Sequence, residues 1–536
     1  SSAASDVYKR QLLMRKERKQ TKKLMMESWR NNYVLLLALA LSMLGGEVMA
    51  QRDAPCRILE SVGHSSLDGE FAGEVFMNPA MQSLHYSVSL NTLSVGYDYR
   101  KATQPISLEG GDGHHVGFAN IDAYLRKNKV VLWGNARYSN GTTRNVLFNE
   151  TSDYEELYPY LMADSVGGNS KQERYHFMGG FSCSLGQWNV AAEGEYTALM
   201  EYRTRDPRPK NLMGDFNIKL AASRQLWQRY WLGWALVARK YKQTNLLKLY
   251  NEVSVPTIYH LTGMGNDYYR FRGDNTSTYY NGYGVGTMLS LAPEKKMGWL
   301  AHLEYGFSRI NKIISSLNEL PMVTLRHYHQ SATIGHKWNI EGKHVLGLKL
   351  KENWSLRKGT ENIFGTAQDN IYPQIASASL YRHSQVDFVL QGMYQRWVND
   401  GYYGVQWEEA YGRVEEKYLE PLRRMKSASW TSVLTLDGAK KLGDCLLKAT
   451  AKGSYDKSNG NLLEVDEADR GALLFTPVKH KYDYLSHDRL GVSVMLETTF
   501  RYQKRVMPFV RVDWQYEFYM SSQYQNQLVV STGVRF

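Results

Sequence analysis

The chain has 536 residues, with 38 Tyr, 13 Trp and 44 Gly but only 13 Pro, and a mean hydropathy of −0.47. Nine Lys/Arg and four Asp/Glu of the 65 bases and 53 acids fall in residues 1–50, so the remainder carries 56 bases and 49 acids, a net of +7. That balance, without a basic run after residue 50, excludes a nucleic-acid partner, and three scattered cysteines (Cys56, Cys183, Cys445) argue against a disulfide framework or a zinc site.

The opening "SSAASDVYKRQ" has no initiator Met and resembles the translation of a transposon end used in sequencing libraries, so residues 1–13 read as an assembly remnant. A basic stretch ending at Arg30, the apolar run Tyr33–Gly46 and Val48-Met49-Ala50 then spell a secretory signal peptide over 14–50, cleaved after Ala50. Met14, Met25 and Met26 compete as the true start. The sequence before Cys56, "RDAP", lacks the small-residue box of a lipoprotein. Residues 51–83 are expected as a periplasmic or lumenal segment, a small hatch too short for the plug domain of an energised TonB-dependent receptor.

From residue 84 onward a two-residue period dominates. Trp188, Val190, Ala192, Gly194, Tyr196, Ala198, Met200 and Tyr202 share one face against Asn189, Glu193, Glu195, Thr197, Glu201 and Arg203. The same alternation sets Val492, Val494, Leu496 and Phe500 against Ser493, Glu497 and Thr499, and Val510, Val512 and Trp514 against Arg511 and Asp513. It ends with Leu528, Val530, Thr532, Val534 and Phe536 on one side of the last strand. Such segments fit tilted bilayer spans, which need about nine to eleven residues.

Tight turns are expected at 126–129, 185–188, 223–228, 292–296, 339–343, 382–384, 437–443 and 502–505, and long loops at 140–172, 243–277, 358–372, 398–425 and 456–488. The sum is an all-β fold: a transmembrane antiparallel β-barrel of about 18 strands over 84–536, with short periplasmic turns and long extracellular loops. A terminal aromatic strand closing such a barrel resembles the signal read by the bacterial barrel assembly machinery, which assigns that role to Phe536.

The stretches "FMNPAMQSLHYSVSLNTLSVGYDYR" (76–100), "YRTRDPRPKN" (202–211) and "VVSTGVRF" (529–536) resemble an uncharacterised family of Bacteroidota-type outer-membrane β-barrels of unknown function. The likeness covers 51–536 and implies an outer-membrane location without naming a substrate. Asn78-Pro79-Ala80 also resembles a step in fatty-acid-channel-like barrels.

Candidate lumen-lining residues are Glu193, Glu195, Lys219, Arg239, Glu304, Lys349, Lys351, Lys448, Lys452, Arg511 and Asp513, because charge in a membrane wall must face water. His327 and His329 share a face, a weak metal candidate. "LSHDR" (485–489) sets Ser486, His487 and Asp488 side by side, whereas a triad needs convergence in space. No enzyme activity and no cofactor are therefore expected. Arg272-Gly273-Asp274 lies in a Tyr-rich loop, and Asp164-Ser165-Val166 resembles an O-glycosylation acceptor. The expected function is a channel or transport protein for small polar solutes. The alternative is a plugged barrel that binds surface ligands or serves as a scaffold beside an uptake system. Outer-membrane lipid, lipopolysaccharide and a surface lipoprotein or uptake partner are the expected neighbours.

Overall fold

The structure, a computed structural model, describes residues 64–251, 256–273, 277–369, 371–500, 506–519 and 523–536. The expected assembly remnant, signal peptide and Cys56 lie outside these residues, as do Asp274 and the turn at 502–505.

In chain order the strands are β1 (Leu90–Ala102), β2 (Gly113–Lys127), β3 (Val130–Val146), β4 (Met162–Ala163), β5 (Gly168–Leu185), β6 (Trp188–Arg203) and β7 (Arg208–Leu226). Then come β8 (Tyr230–Lys248), β9 (Tyr259–Gly263), β10 (Asn266–Asp267), β11 (Ser277–Pro293), β12 (Gly298–Ile314), β13 (Leu320–Ile340) and β14 (His344–Phe364). The last are β15 (Gln374–Val398), β16 (Gly401–Leu419), β17 (Leu422–Leu442), β18 (Cys445–Glu464), β19 (Arg489–Phe500), β20 (Met507–Tyr519) and β21 (Gln523–Arg535).

All but the short β4, β9 and β10 belong to one antiparallel sheet of 18 strands. It closes on itself, because β21 pairs with both β20 and β1. The backbones of Phe536 and Asn91 exchange hydrogen bonds of 2.9 and 3.0 Å, so the aromatic terminus has no free edge. The first barrel strand starts at Leu90.

Side chains alternate outward and inward along the strands, and the register carries this parity around the barrel except where it shifts at Thr143/Val146, Lys312/Ile313, Gly359/Thr360, Ile363/Phe364 and Lys426/Ala428. Leu93, Val95 and Tyr97 (β1), Leu232, Trp234 and Leu236 (β8), Leu348 and Leu350 (β14), Leu434 and Leu436 (β17) and Val510, Val512 and Trp514 (β20) are all exposed on the outer wall. In water such a band would be an aggregation surface; in hydrocarbon it is the correct solvent match. A closed wall with this apolar waist spans a bilayer, and the protein resides in the bacterial outer membrane. Strands of 12 (β19) to 25 residues (β15) exceed what the span requires, so many rise beyond it on one side.

The turns at β2–β3, β5–β6, β7–β8, β11–β12, β13–β14, β15–β16 and β17–β18 cluster with the chain end at one rim. Two expectations fail. Residues 382–384 are no turn, because β15 runs through them, and 398–425 is no long loop. There the chain turns at 399–400, climbs β16, reverses at 420–421 and descends β17. The sequence "RHS" offers polar residues without a reversal, and the rich mixture of charges in β16 masked its alternation. The two errors cancel in the strand count.

Candidate functional site: the lumen and its two closures

The eleven lumen candidates all fall on the inward parity of their strands. Most are paired: Lys219 with Glu193 (2.8 Å), Arg511 with Asp513 (2.8 Å), Arg239 with Asp215 (2.8 Å) and Glu156 (2.7 Å). Glu195 faces His176 at 3.8 Å, and Glu304 lies 3.8 Å from His302 and 3.6 Å from His329. Lys452 is exposed, as are Asp122, Arg137 and Arg174 on the same inward parity, so the middle of the bore is hydrated. His327 bonds Ser355 (3.2 Å) and its ring lies 5.6 Å from that of His329. Among the described residues no three His, Cys, Asp or Glu converge as metal ligands.

Lys349, Lys351 and Lys448 do something the sequence did not suggest. They hold the segment 64–88, which folds into the periplasmic end of the bore as short helical turns (Leu67–Glu70, Val75–Met77, Pro79–Met81, Gln82–His85). Lys349 Nζ donates to Phe71 O (3.1 Å) and to the Glu74 carboxylate (3.2 Å), and Lys351 lies 3.5 Å from Glu74. Lys448 donates to Ser65 Oγ (2.9 Å), and Lys337 binds Asp68. Opposite, Ser223 donates to Ala80 O (3.0 Å), Asn189 to Ser83 Oγ (3.0 Å) and Tyr124 to Gln82 O (2.7 Å). Phe71, Val75 and Met81 are almost wholly buried against Trp231, Leu300, Val345 and Met393 of the wall. Each such side chain contributes about 1.5–3 kcal/mol of burial. Burial opposes ionisation of Glu74, but Lys349 and Lys351 outweigh it and hold its carboxyl below the usual range. This anchor therefore persists above ordinary carboxylate pKa values and weakens only as pH falls below them.

Gly347 explains how the segment fits. Its hydrogen faces the Phe71 ring, and a Cβ there would lie 2.7 Å from Cε2. A glycine inside a strand marks close approach of another group. Gly347→Val is expected to unseat the segment by overpacking, a loss of roughly 1–3 kcal/mol. Protease access to 64–88, with the barrel intact, checks it.

The outer end is closed by loops. Residues 147–167 cross the bore, and β4 within them pairs with β9 of the 256–273 loop. Arg203, 4% exposed, grips both ends of this crossing through Glu150 and through Asp164 at 2.6 Å. Beyond it Tyr158 donates to Glu416 (2.8 Å), Tyr160 to Glu361 (3.3 Å), and Lys312 to Leu161 O (2.8 Å). Tyr381 and Lys481 also bind Glu416, at 3.1 and 3.3 Å, and Tyr418 binds Glu361 at 2.8 Å. Tyr160, Phe271 and Phe475 of the cap loops pack with Met322 and Tyr381 of the wall into an apolar core. Gly359 leaves room for the Tyr160 hydroxyl, which a Cβ would overlap at 1.7 Å.

Glu109, in the loop 103–112, is buried within this cap, and burial pushes its pKa up to about 7 despite Lys481 nearby. The folded cap thus binds a proton that the unfolded loop releases near 4.5. Its contribution is fully present below that value and is lost as pH rises through about 7. Cap amides, corrected for intrinsic rates, are expected to exchange faster at pH 8 than at pH 5, and Glu109→Gln should flatten that difference.

The other sequence features find local roles. His487 Nδ1 lies 2.5 Å from Asp483 O, while Asp488 accepts from Ser458 N and Tyr455 at 2.9 Å, so the Ser-His-Asp run does not converge. Asp164 is buried by its bond to Arg203, though Ser165 is exposed. Arg272 of the Arg-Gly-Asp triplet pairs with Asp267 (2.6 Å). Asn78, wholly buried, accepts from Ala80 N (3.1 Å) and turns the hatch at Pro79.

A model described as a family of unknown function (DUF6850) matches residues 79–536. The chain belongs to this family. No curated protein matches the chain. Among solved structures, the siderophore receptor PiuA from Acinetobacter baumannii is 8% identical, with 83% of this chain and 82% of that one covered at a TM-score of 0.38. BauA, the ferric preacinetobactin receptor of the same organism, is 7% identical, with 83% and 80% covered at 0.37. The alcaligin outer membrane receptor FauA from Bordetella pertussis is 10% identical, with 83% and 76% covered at 0.33. Superpositions this loose say nothing of ligand or mechanism.

Proposed function

We propose that this family member is a gated outer-membrane transport barrel for small polar solutes. The observation that carries the reading is a hydrated, mixed-charge middle lumen sealed by a hatch at one end and by packed loops at the other, and not by its own wall. A wall built to stay closed would fill its centre with side chains; here Asp122, Arg137, Arg174 and Lys452 remain exposed inside. The hatch is held by the apolar cluster around Phe71, Val75 and Met81 together with ion pairs and carbonyl hydrogen bonds, and water can replace the polar part at modest net cost. Transport would proceed by displacing closures, with selection by bore and charge and without catalysis.

Planar-bilayer recording tests it. Intact protein should show a closed baseline with brief openings, and a reducible bifunctional thiol cross-link between Asp68→Cys and Lys337→Cys should abolish them until cleaved. Absence of openings under every condition would instead favour the second reading, a permanently filled surface scaffold, which the apolar core of the outer cap supports. Under either reading the barrel assembly machinery would read the Phe536 end, and an uptake partner would meet the hatch or the loops.

A further inference from the structure

The outward face of β12–β17 carries a row of cations in direct register. Arg309 stands opposite Arg326, Arg326 opposite Lys358, Lys358 opposite Arg382, Arg382 opposite Lys417 and Lys417 opposite Arg424. Like charges directly opposite on neighbouring strands destabilise a sheet unless something neutralises them. At one end the protein supplies the counter-charge: Glu415 lies 2.8 Å from Lys417 and 2.7 Å from Arg424, with Glu464 adding a contact to Arg424.

The other four have none. Among the described residues Arg309, Arg326, Lys358 and Arg382 make no ion pair. Arg309 donates only to Asn311 (3.2 Å) and Thr324 (3.4 Å), and Arg326 only to Thr360 (3.0 Å). Lys358 and Arg382 are exposed. Three inter-strand steps of about 4.8 Å place the four within roughly 15 Å.

Their height identifies the counter-ion. The next outward row below is Phe307, Tyr328, Leu356 and Ser384, and the one below that includes Tyr305, Trp354 and Val386. Aromatic residues at that level form the interfacial girdle, and hydrocarbon begins beneath it. The cations therefore sit one step beyond the acyl-chain boundary on the loop side, at the level of outer-leaflet headgroups. We propose that Arg309, Arg326, Lys358 and Arg382 form a binding site for the phosphates of an anionic outer-leaflet glycolipid, whose acyl chains lie on the aromatic and aliphatic rows below. Guanidinium groups suit phosphate oxygens because their planar fork donates two parallel hydrogen bonds.

The test uses the full chain, delipidated in detergent, with lipid A bearing two phosphates, the same lipid dephosphorylated, and inorganic phosphate as probes. Native mass spectrometry reads occupancy, and heat-modifiable gel mobility confirms an intact barrel for every variant. Arg326→Gln/Lys358→Gln/Arg382→Gln should weaken phosphorylated-lipid binding by about tenfold or more, since each lost contact is a charge-assisted bond. A control of equal charge loss elsewhere on the outer wall, Lys171→Gln/Lys210→Gln/Lys457→Gln, should leave it unchanged. Equal weakening in both variants would show diffuse attraction and overturn the site. Equal binding of the dephosphorylated lipid would overturn the phosphate, and full displacement by equimolar inorganic phosphate would overturn the lipid. Retained tight binding in the first variant would also refute the proposal.

Discussion

Barrels lacking both the hatch (64–85) and the tips of the outer-cap loops (147–167, 256–273 and 466–488) are expected to conduct ions steadily, whereas barrels lacking only one closure open no more than briefly. The two closures lie in series along one bore, so either alone blocks flow. The hatch is tied to Lys337, Lys349 and Lys448 on one side and to Ser223, Asn189 and Tyr124 on the other. The outer loop is tied independently, through Arg203, Lys312, Glu361 and Glu416. Among the described residues no hydrogen bond or ion pair links the two sets, so their removal should combine as a logical pair. An 18-stranded wall encloses an aqueous channel when unfilled, and the double deletion should exceed either single one by about tenfold or more in conductance. Heat-modifiable mobility controls for folding.

Arg203→Met should release the outer cap. Arg203, Glu150 and Asp164 are all nearly inaccessible, and the guanidinium neutralises both carboxylates while its Nε donates to Pro207 O (2.9 Å). Removing one member of a buried ionic cluster leaves uncompensated charge, at a cost of about 3–5 kcal/mol. That cost falls on the loop, because the 18-strand hydrogen-bond network does not depend on it. Residues 147–167 should become protease-sensitive in an otherwise intact barrel. Adding Glu150→Gln and Asp164→Asn removes the stranded charges and should restore most of the protection; protection that stays lost would show that Arg203 acts through packing instead.

The barrel was legible because its physics is local. Each span alternates lipid-facing and inward residues, as in β6, β19, β20 and β21, and a parity read from any one strand holds for its neighbours. The turn at 185–188 likewise declares itself through Gly186, whose φ of +66° suits glycine. The anchors of the two closures were not legible, because they depend on pairs hundreds of residues apart, such as Asp68 with Lys337 and Tyr158 with Glu416. The sequence suggested a small hatch over 51–83 and placed Lys349 and Lys448 on the lumen side, but nothing in it linked the two. Glu361, Glu416 and Tyr418 were hidden by reading their stretches as loops, where no face can be assigned. Arg203 lay within "YRTRDPRPKN", yet only the fold shows its two carboxylates. One usable signal was overlooked: Gly347 and Gly359 interrupt an otherwise well-filled strand β14, and each faces a closure residue.

The most direct measurement is the reaction of a thiol at Lys452→Cys with a bulky membrane-impermeant maleimide, in protein whose native cysteines are replaced by serine. Lys452 faces the hydrated middle of the bore, while Lys457 on the same strand faces outward above the girdle. Sealing from both ends predicts that the label at 452 reacts far more slowly than one at 457, and that removing both closures brings the two rates together. Equal, rapid labelling at both positions in the intact barrel would contradict the closed lumen on which the account rests.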